Sequence, residues 1–230
     1  MTDGPRTHVI SLGGSLLFQD QKINTAFVKE FSTTILAEVS QGSRFIIVVG
    51  GGYIARLYQS ALTELGNSDP KDLDWIGIHA CRFNAQLLRL LFQEHVHPEL
   101  ILNEAQLADV SAPIALAGGI KPGASSDRVA TRFAQTLKVS LIANISNIPY
   151  VFDKDPKKYP DASAILDLKW EEYRKLIPQE WNPGLSTPFD PKAAEIAEEA
   201  GITVGIMDSD LTKLKKFLAN EKFQGTLIHP

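Results

Sequence analysis

The sequence predicts an α/β fold: a three-layer αβα sandwich on a mostly parallel central sheet. Three observations carry this reading. Short apolar runs alternate with longer amphipathic ones along all 230 residues. The short runs are aliphatic or β-branched with few interior charges, as strands covered on both faces must be. Glycine clusters stand directly behind three of them, where an open α/β sheet binds its ligands.

The strand-like runs are residues 8–12, 45–49, 100–102, 113–117, 139–145 and 202–206. Between them lie helical stripes. Phe27, Phe31, Ile35 and Val39 recur at four-residue spacing, and Val129, Ala130, Phe133, Ala134 and Leu137 form a second stripe. Ala193, Ala194, Ile196, Ala197 and Ala200 form a third. Repeated β, α, β, α order favours parallel strands with helices on both sides. The stretch 149–191, rich in Pro, Asp, Lys and Trp, reads as hairpins and loops before a last αβα unit. No linker divides the chain, so a single domain is expected over residues 1–230.

Composition narrows the function classes. Hydrophobic residues make up 44% and charged residues 22%, which are globular proportions. The net charge of −4 disfavours a nucleic-acid-binding surface but not a nucleotide site, because amides and a few arginines can hold phosphates. One cysteine, Cys81, builds neither an internal disulfide framework nor a cysteine-rich zinc site. No apolar run approaches the roughly 20 residues that span a bilayer. A cytoplasmic protein without a membrane partner is the expectation.

The chemistry lies in the glycine clusters: Gly13-Gly14-Ser15, Gly50-Gly51-Gly52, and Gly118-Gly119 with Gly123 behind it. Glycine there lets backbone N–H groups approach phosphate oxygens, and a following helix adds its positive N-terminal end. Neither GxxxxGK[ST] nor GxGxxG is present, which removes P-loop and dinucleotide-binding readings. Arg56 falls about one turn into the helix after the second cluster, and Arg82 lies in His79-Ala80-Cys81-Arg82-Phe83-Asn84. Either guanidinium could grip two phosphate oxygens or lie on a solvated helix face. Asp127 and Asp190 stand at probable helix starts, where capping and catalysis are equally open readings.

In this order the motifs resemble those of the amino acid kinase superfamily, and specifically its archaeal-type UMP kinases. The match takes in the GGS loop, Val49-Gly50-Gly51-Gly52-Tyr53-Ile54-Ala55-Arg56 and Arg82-Phe83-Asn84-Ala85. It continues through Gly118-Gly119-Ile120-Lys121-Pro122-Gly123, then Ser125-Ser126-Asp127, Asn147 to Pro156, and Asp190-Pro191-Lys192-Ala193. The resemblance implies phosphoryl transfer from ATP with Mg²⁺ to a nucleoside monophosphate, UMP to UDP, within pyrimidine biosynthesis. It also implies a homohexamer, with an acceptor lobe over about residues 1–140 and an ATP lobe over about 141–230.

The same resemblance distributes the roles. Gly13, Gly14 and Ser15 would lie along the transferred phosphoryl group and the ATP phosphates. Gly51, Gly52 and Arg56 would grip the acceptor phosphate, while Gly119, Ser125 and Ser126 seat the monophosphate. Asn147, Phe152, Asp155 and Lys157, with lysines 154 and 158 nearby, would face the ATP nucleotide. Gly14, Ser15, Asp127, Asp190 and Lys192 would form the catalytic set, with no metal-binding side chain assigned.

Three positions depart from the family pattern. Ser11 stands where many members carry a lysine, Pro149-Tyr150 replaces an Asp-Gly turn, and Glu195 occupies a lysine position in the last helix. Slower transfer is the expectation, with Lys192 as a partial substitute. The alternatives are a nucleotide- or anion-binding protein on the same scaffold and a kinase for another small acceptor.

Overall fold

Alternation along each buried strand decides the architecture. The computed structural model describes residues 6–178 and 187–230. In chain order its strands are β1 (Thr7–Leu12), β2 (Phe18–Gln19), β3 (Lys22–Ile23), β4 (Arg44–Val49), β5 (Ile114–Ala117) and β6 (Leu141–Ile145). There follow β7 (Val151–Phe152), β8 (Ala164–Ile165), β9 (Asp167–Lys169), β10 (Thr203–Met207) and β11 (Thr226–His229). The helices are α1 (Thr25–Ser40), α2 (Gly52–Glu64), α3 (Pro70–Phe92), α4 (Ser126–Leu137), α5 (Trp170–Leu176), α6 (Pro191–Glu199) and α7 (Leu211–Leu218).

The main sheet runs β5-β4-β1-β6-β10-β11-β9 among the described residues. Pairing is parallel from β5 to β10, and β11 then lies antiparallel to β10 with β9 parallel to β11. Val9, Ile46, Val48, Ile142, Val204 and Ile206 face one side, against α4, α5 and α6. Their neighbours Ile10, Leu12, Phe45, Ile47, Val49 and Ile145 face the other, against α1, α3 and α7. Both faces are therefore dry, and each fully buried aliphatic side chain contributes roughly 1.5–3 kcal/mol relative to exposure. Trp170 and Tyr173 anchor the first core by hydrogen bonds as well: Trp170 Nε1 donates to Ile202 O (2.8 Å) and Tyr173 Oη to Phe189 O (2.6 Å).

From β1 the chain steps outward through β4 to β5, then returns to build β6 and β10 on the opposite side. The switch point lies between β1 and β6, where the polypeptide leaves both strands in opposite directions and opens a crevice at their carboxyl ends. The loops after β1 and β6 border that crevice. Gly13 N donates to Ile145 O at 2.7 Å, and Gly50 N on the other flank donates to Leu12 O at 2.9 Å.

The three predicted helical stripes are α1, α4 and α6. Among the strands, residues 100–102 depart from expectation. Only Ile101 forms an isolated parallel bridge, to Ala117. Gln106 Oε1 accepts from Leu102 N (2.7 Å) and Asn103 N (3.2 Å), closing a capped 3-10 turn that ends the extended run. Within 149–191 the structure has the hairpin β7–β8, as expected, but also β9 and α5, and residues 179–186 of this stretch lie outside the described residues.

Candidate active site

The first two glycine loops are in backbone contact. A Cβ on Gly14 would lie 2.6 Å from Gly52 N and closer still to Gly50 O. Gly52 itself has φ +58°, a conformation in which side chains are strained. No other residue type fits this approach. The third loop rests on α3 in the same way: a Cβ on Gly118 would stand 2.6 Å from Arg82 N, and one on Gly119 3.0 Å from Ile78 Cα. Gly13, Gly51 and Gly119 line one cavity of about 540 Å³, so the three clusters converge as the sequence predicts.

Arg56 and Lys121 are the basic side chains on this cavity wall among the described residues. Gly52, Ser125 and Ser126 line it too, so the whole expected acceptor-side set is assembled in one place, with Ser15 of the first loop beside it. Arg82 is not part of that set. Its Nε donates to Gly119 O (2.9 Å) and its Nη2 to Ile120 O (3.2 Å), so the guanidinium holds a loop rather than offering itself to a phosphate or to solvent. Two residues on, buried Asn84 donates from Nδ2 to Gly50 O (2.9 Å) and Gly51 O (3.1 Å). A third side chain of α3, Asp74, accepts from Gly123 N at 2.7 Å and lines the cavity. One helix thus positions both the second and the third glycine loops.

At the crevice floor Asp127 is not a helix cap. Ser125 caps α4 by accepting from Arg128 N (3.1 Å), and Asp127, two residues later, points inward. Its Oδ1 accepts from Ser11 Oγ (2.7 Å) and Asn144 Nδ2 (2.9 Å), and its Oδ2 from Asp190 N (3.2 Å). The carboxyl group is half-buried and lines the cavity. Burial pushes it up to about 6, opposed by the Ser11 hydrogen bond and reinforced by the negative charge of Asp190. Asp190 does cap its helix, accepting from Ala193 N at 2.7 Å, and burial raises it above the usual carboxylate range.

Lys192 lies elsewhere. Its Nζ is 3.1 Å from both Glu195 oxygens, and the residue is not on the cavity wall. Ser11, the position of the missing lysine, is buried and donates to Asp127. Cys81 reaches the wall, and burial pushes its thiol up to about 11, so it is a neutral lining group.

A second cavity of about 490 Å³ adjoins the first. Asn147, Phe152, Asp155 and Lys157, the expected nucleotide set, all line it, and Asn147, Ile148, Thr187 and Pro188 border both cavities. Its wall turns at Pro149-Tyr150, where the Asp-Gly turn is missing; Ser146 Oγ instead accepts from Ile148 N (3.1 Å) before β7 begins. Sequence reasoning missed Asp74, Asn84, Asn144 and Lys121. For Asn144 a signal existed: an amide inside the aliphatic run Leu-Ile-Ala-Asn-Ile needs a buried partner.

An open sheet that gathers backbone amides, an arginine and buried carboxyl groups at one switch point, beside a second cavity, has the architecture of a phosphoryl-handling enzyme. The profile described as "Amino acid kinase family" matches residues 6–208. The chain therefore belongs to the amino acid kinase family. It is 32% identical over 226 residues to the uridylate kinase of Staphylothermus marinus, covering 97% of this chain and 99% of the relative. To the uridylate kinase of Methanocorpusculum labreanum it is 33% identical over 224 residues, covering 96% and 94%. Among solved structures, the uridylate kinase of Archaeoglobus fulgidus superposes with a TM-score of 0.83 at 28% identity, covering 97% of this chain and 99% of that one. The UMP kinase of Bacillus anthracis, at 20% identity and a TM-score of 0.78, shares the fold.

Proposed function

We propose that this protein transfers the γ-phosphoryl group of ATP to UMP, giving UDP and ADP. The observation that carries the reading is the pair of adjoining cavities, one bearing Arg56 and the glycine loops, the other the nucleotide set, with Asn147 and Ile148 common to both. Two phosphorylated substrates entering from the two cavities would meet beside Gly13, Gly14 and Ser15. The naming of its relatives as uridylate kinases supports UMP as the acceptor.

Phosphoryl transfer asks little covalent chemistry of a protein; it asks for alignment and for neutralisation of charge spreading over the transferred oxygens. In this reading Gly51, Gly52 and Arg56 hold the acceptor phosphate, and Gly119, Ser125 and Ser126 seat its nucleoside. Amides of Gly13, Gly14 and Ser15 receive the moving phosphoryl group. Asn147, Phe152, Asp155 and Lys157 hold the ATP nucleoside side. Asp127 and Asp190 fix the floor between the two. About residues 1–140 would then serve the acceptor and about 141–230 the donor.

Among the described residues no group of three or more His, Cys, Asp or Glu side chains could hold a metal ion. In this reading magnesium would be held chiefly by nucleotide phosphates and water. When bound, it would neutralise charge on the β- and γ-phosphates.

Neither a storage role nor a different acceptor gains support from the relatives. Among the described residues no helix is long and apolar enough to cross a membrane. A cytoplasmic homo-oligomer, a hexamer by resemblance, completes the proposal. On α3, Phe83 and Leu90 are 72% and 62% exposed, a surface that such an assembly could cover.

The test is ADP release measured across nucleoside monophosphates and small acids, with sedimentation for the assembly. UMP should give the highest kcat/KM. No transfer to any monophosphate, with Mg-ATP binding still measurable, would overturn the reading.

A further inference from the structure

The transfer end of the first cavity is short of positive charge. Among the described residues, the basic side chains on the wall are Arg56, in the first turns of α2, and Lys121, in the third glycine loop. Around Gly13 the wall residues are Ser11, Ser15, Asn144, Ser146 and Asp127, none of them basic. Residues 179–186, outside the described structure, contain no lysine or arginine in sequence.

We propose that Ser11 and Asn144 are positioning residues that act through Asp127, holding its carboxyl group at the transfer end by two donated hydrogen bonds. Both donors come from the strands that flank the switch point, β1 and β6, and both reach the same oxygen, Oδ1. Oδ2 is taken by the backbone N–H at the head of α6. All three contacts are donated to the carboxyl group, so this is the cradle of an ionised carboxylate. It ties two strand ends and the starts of α4 and α6 to one point.

The surroundings are consistent with control by this cradle. β1 and β6 present neutral donors. From the head of α6 the facing charge is Asp190; α5 contributes the neutral Tyr173 hydroxyl, closed on Phe189 N–H and O. On α4 itself Arg128 acts on Asp190, and its Nη1 donates to Gly123 O. Burial drives Asp127 towards its neutral form, while the Ser11 and Asn144 donors oppose that drive. Removing either donor should therefore move ionisation of Asp127 to higher pH.

The kinetic arm rests on the kinase reading; the spectroscopic arm does not. In Ser11→Ala and Asn144→Ala, kcat relative to wild type should fall more at pH 6 than at pH 8. The acid limb should move up by roughly one pH unit. Substrate phosphates titrate in the same range but are common to both proteins and cancel in the ratio. Ser11→Thr, which keeps the hydroxyl, should restore the limb. In the substrate-free protein, the ¹³Cγ signal of Asp127, assigned through Asp127→Asn, should titrate at higher pH in both alanine variants. A pH-independent ratio in both folded variants, or an unmoved Asp127 midpoint, overturns the proposal. Absence of transfer by the wild type sinks the kinase reading instead and leaves the ¹³C midpoint to decide.

Discussion

Asn84 bonds Gly50 and Gly51 with a single amide nitrogen, at 2.9 and 3.1 Å, from a position 3% exposed on α3. The second glycine loop is thus held in place by a side chain that is not itself on the cavity wall. Asn84→Ala should leave two carbonyls short of a donor, at a cost of roughly 1–3 kcal/mol in denaturant unfolding. The acceptor KM should rise while the ATP KM stays within a few-fold. Equal changes in both constants would assign Asn84 to general stability alone.

Arg56 lines the cavity above that loop. Arg56→Ala should raise the acceptor KM by roughly 30- to 1,000-fold, the loss of a charge-assisted bidentate contact. The ATP KM should hardly move. Steady-state kinetics with each substrate varied in turn decides this, and an unchanged acceptor KM would return Arg56 to a solvated surface role.

Asp127 should make stability depend on pH in a particular direction. Its folded-state value, pushed up to about 6, lies above that of an unfolded aspartate. Between about pH 4 and 6 the folded protein therefore keeps a proton that the unfolded chain has lost, so stability falls as pH rises through that window. Asp127→Asn removes this contribution and leaves that of Asp190, which burial also raises. The variant should gain on the wild type from pH 4 to 6 and keep a constant advantage above it, at most about 3 kcal/mol, less whatever solvent in the cavity screens. Urea unfolding at several pH values measures it, and a parallel pair of curves would contradict it.

Lys192 offers a test of charge compensation. With its Nζ on Glu195, Lys192→Ala should change turnover less than about threefold, since a half-exposed i,i+3 pair of this kind is worth little. Near-abolition of turnover would mean that the ammonium leaves Glu195 for the phosphates during the reaction.

Much of this was legible in the sequence, because long-range order here follows from local pattern. The runs that became β1, β4, β5, β6 and β10 are mostly aliphatic, as strands of a doubly covered sheet must be, and the glycines behind three of them announce the crevice. Residues 100–102 misled because three apolar residues cannot distinguish a strand from one bridge before a capped turn. β9 and β11 went unread for a related reason: they are short, lie at the sheet margin and mix polar with apolar residues. In the site, Arg82 was visible but its partners were not, since a guanidinium that grips carbonyls looks in sequence like one that grips phosphate. Asp127 and its donors lie 116 and 17 positions apart, and only the fold brings them to one oxygen.

The missing side chains at Gly14 and Gly52 have a consequence for how such an enzyme could change. Because main chain meets main chain there, the spacing of the first and second glycine loops is a gauge set by backbone contact rather than by side-chain size. In the proposed reading, selection could remodel the far ends of the two cavities, around Lys121 on one side and Tyr150 on the other, without disturbing the reach of one substrate to the other. Preference for a base or a sugar is free to drift while the spacing of the jaws stays constant.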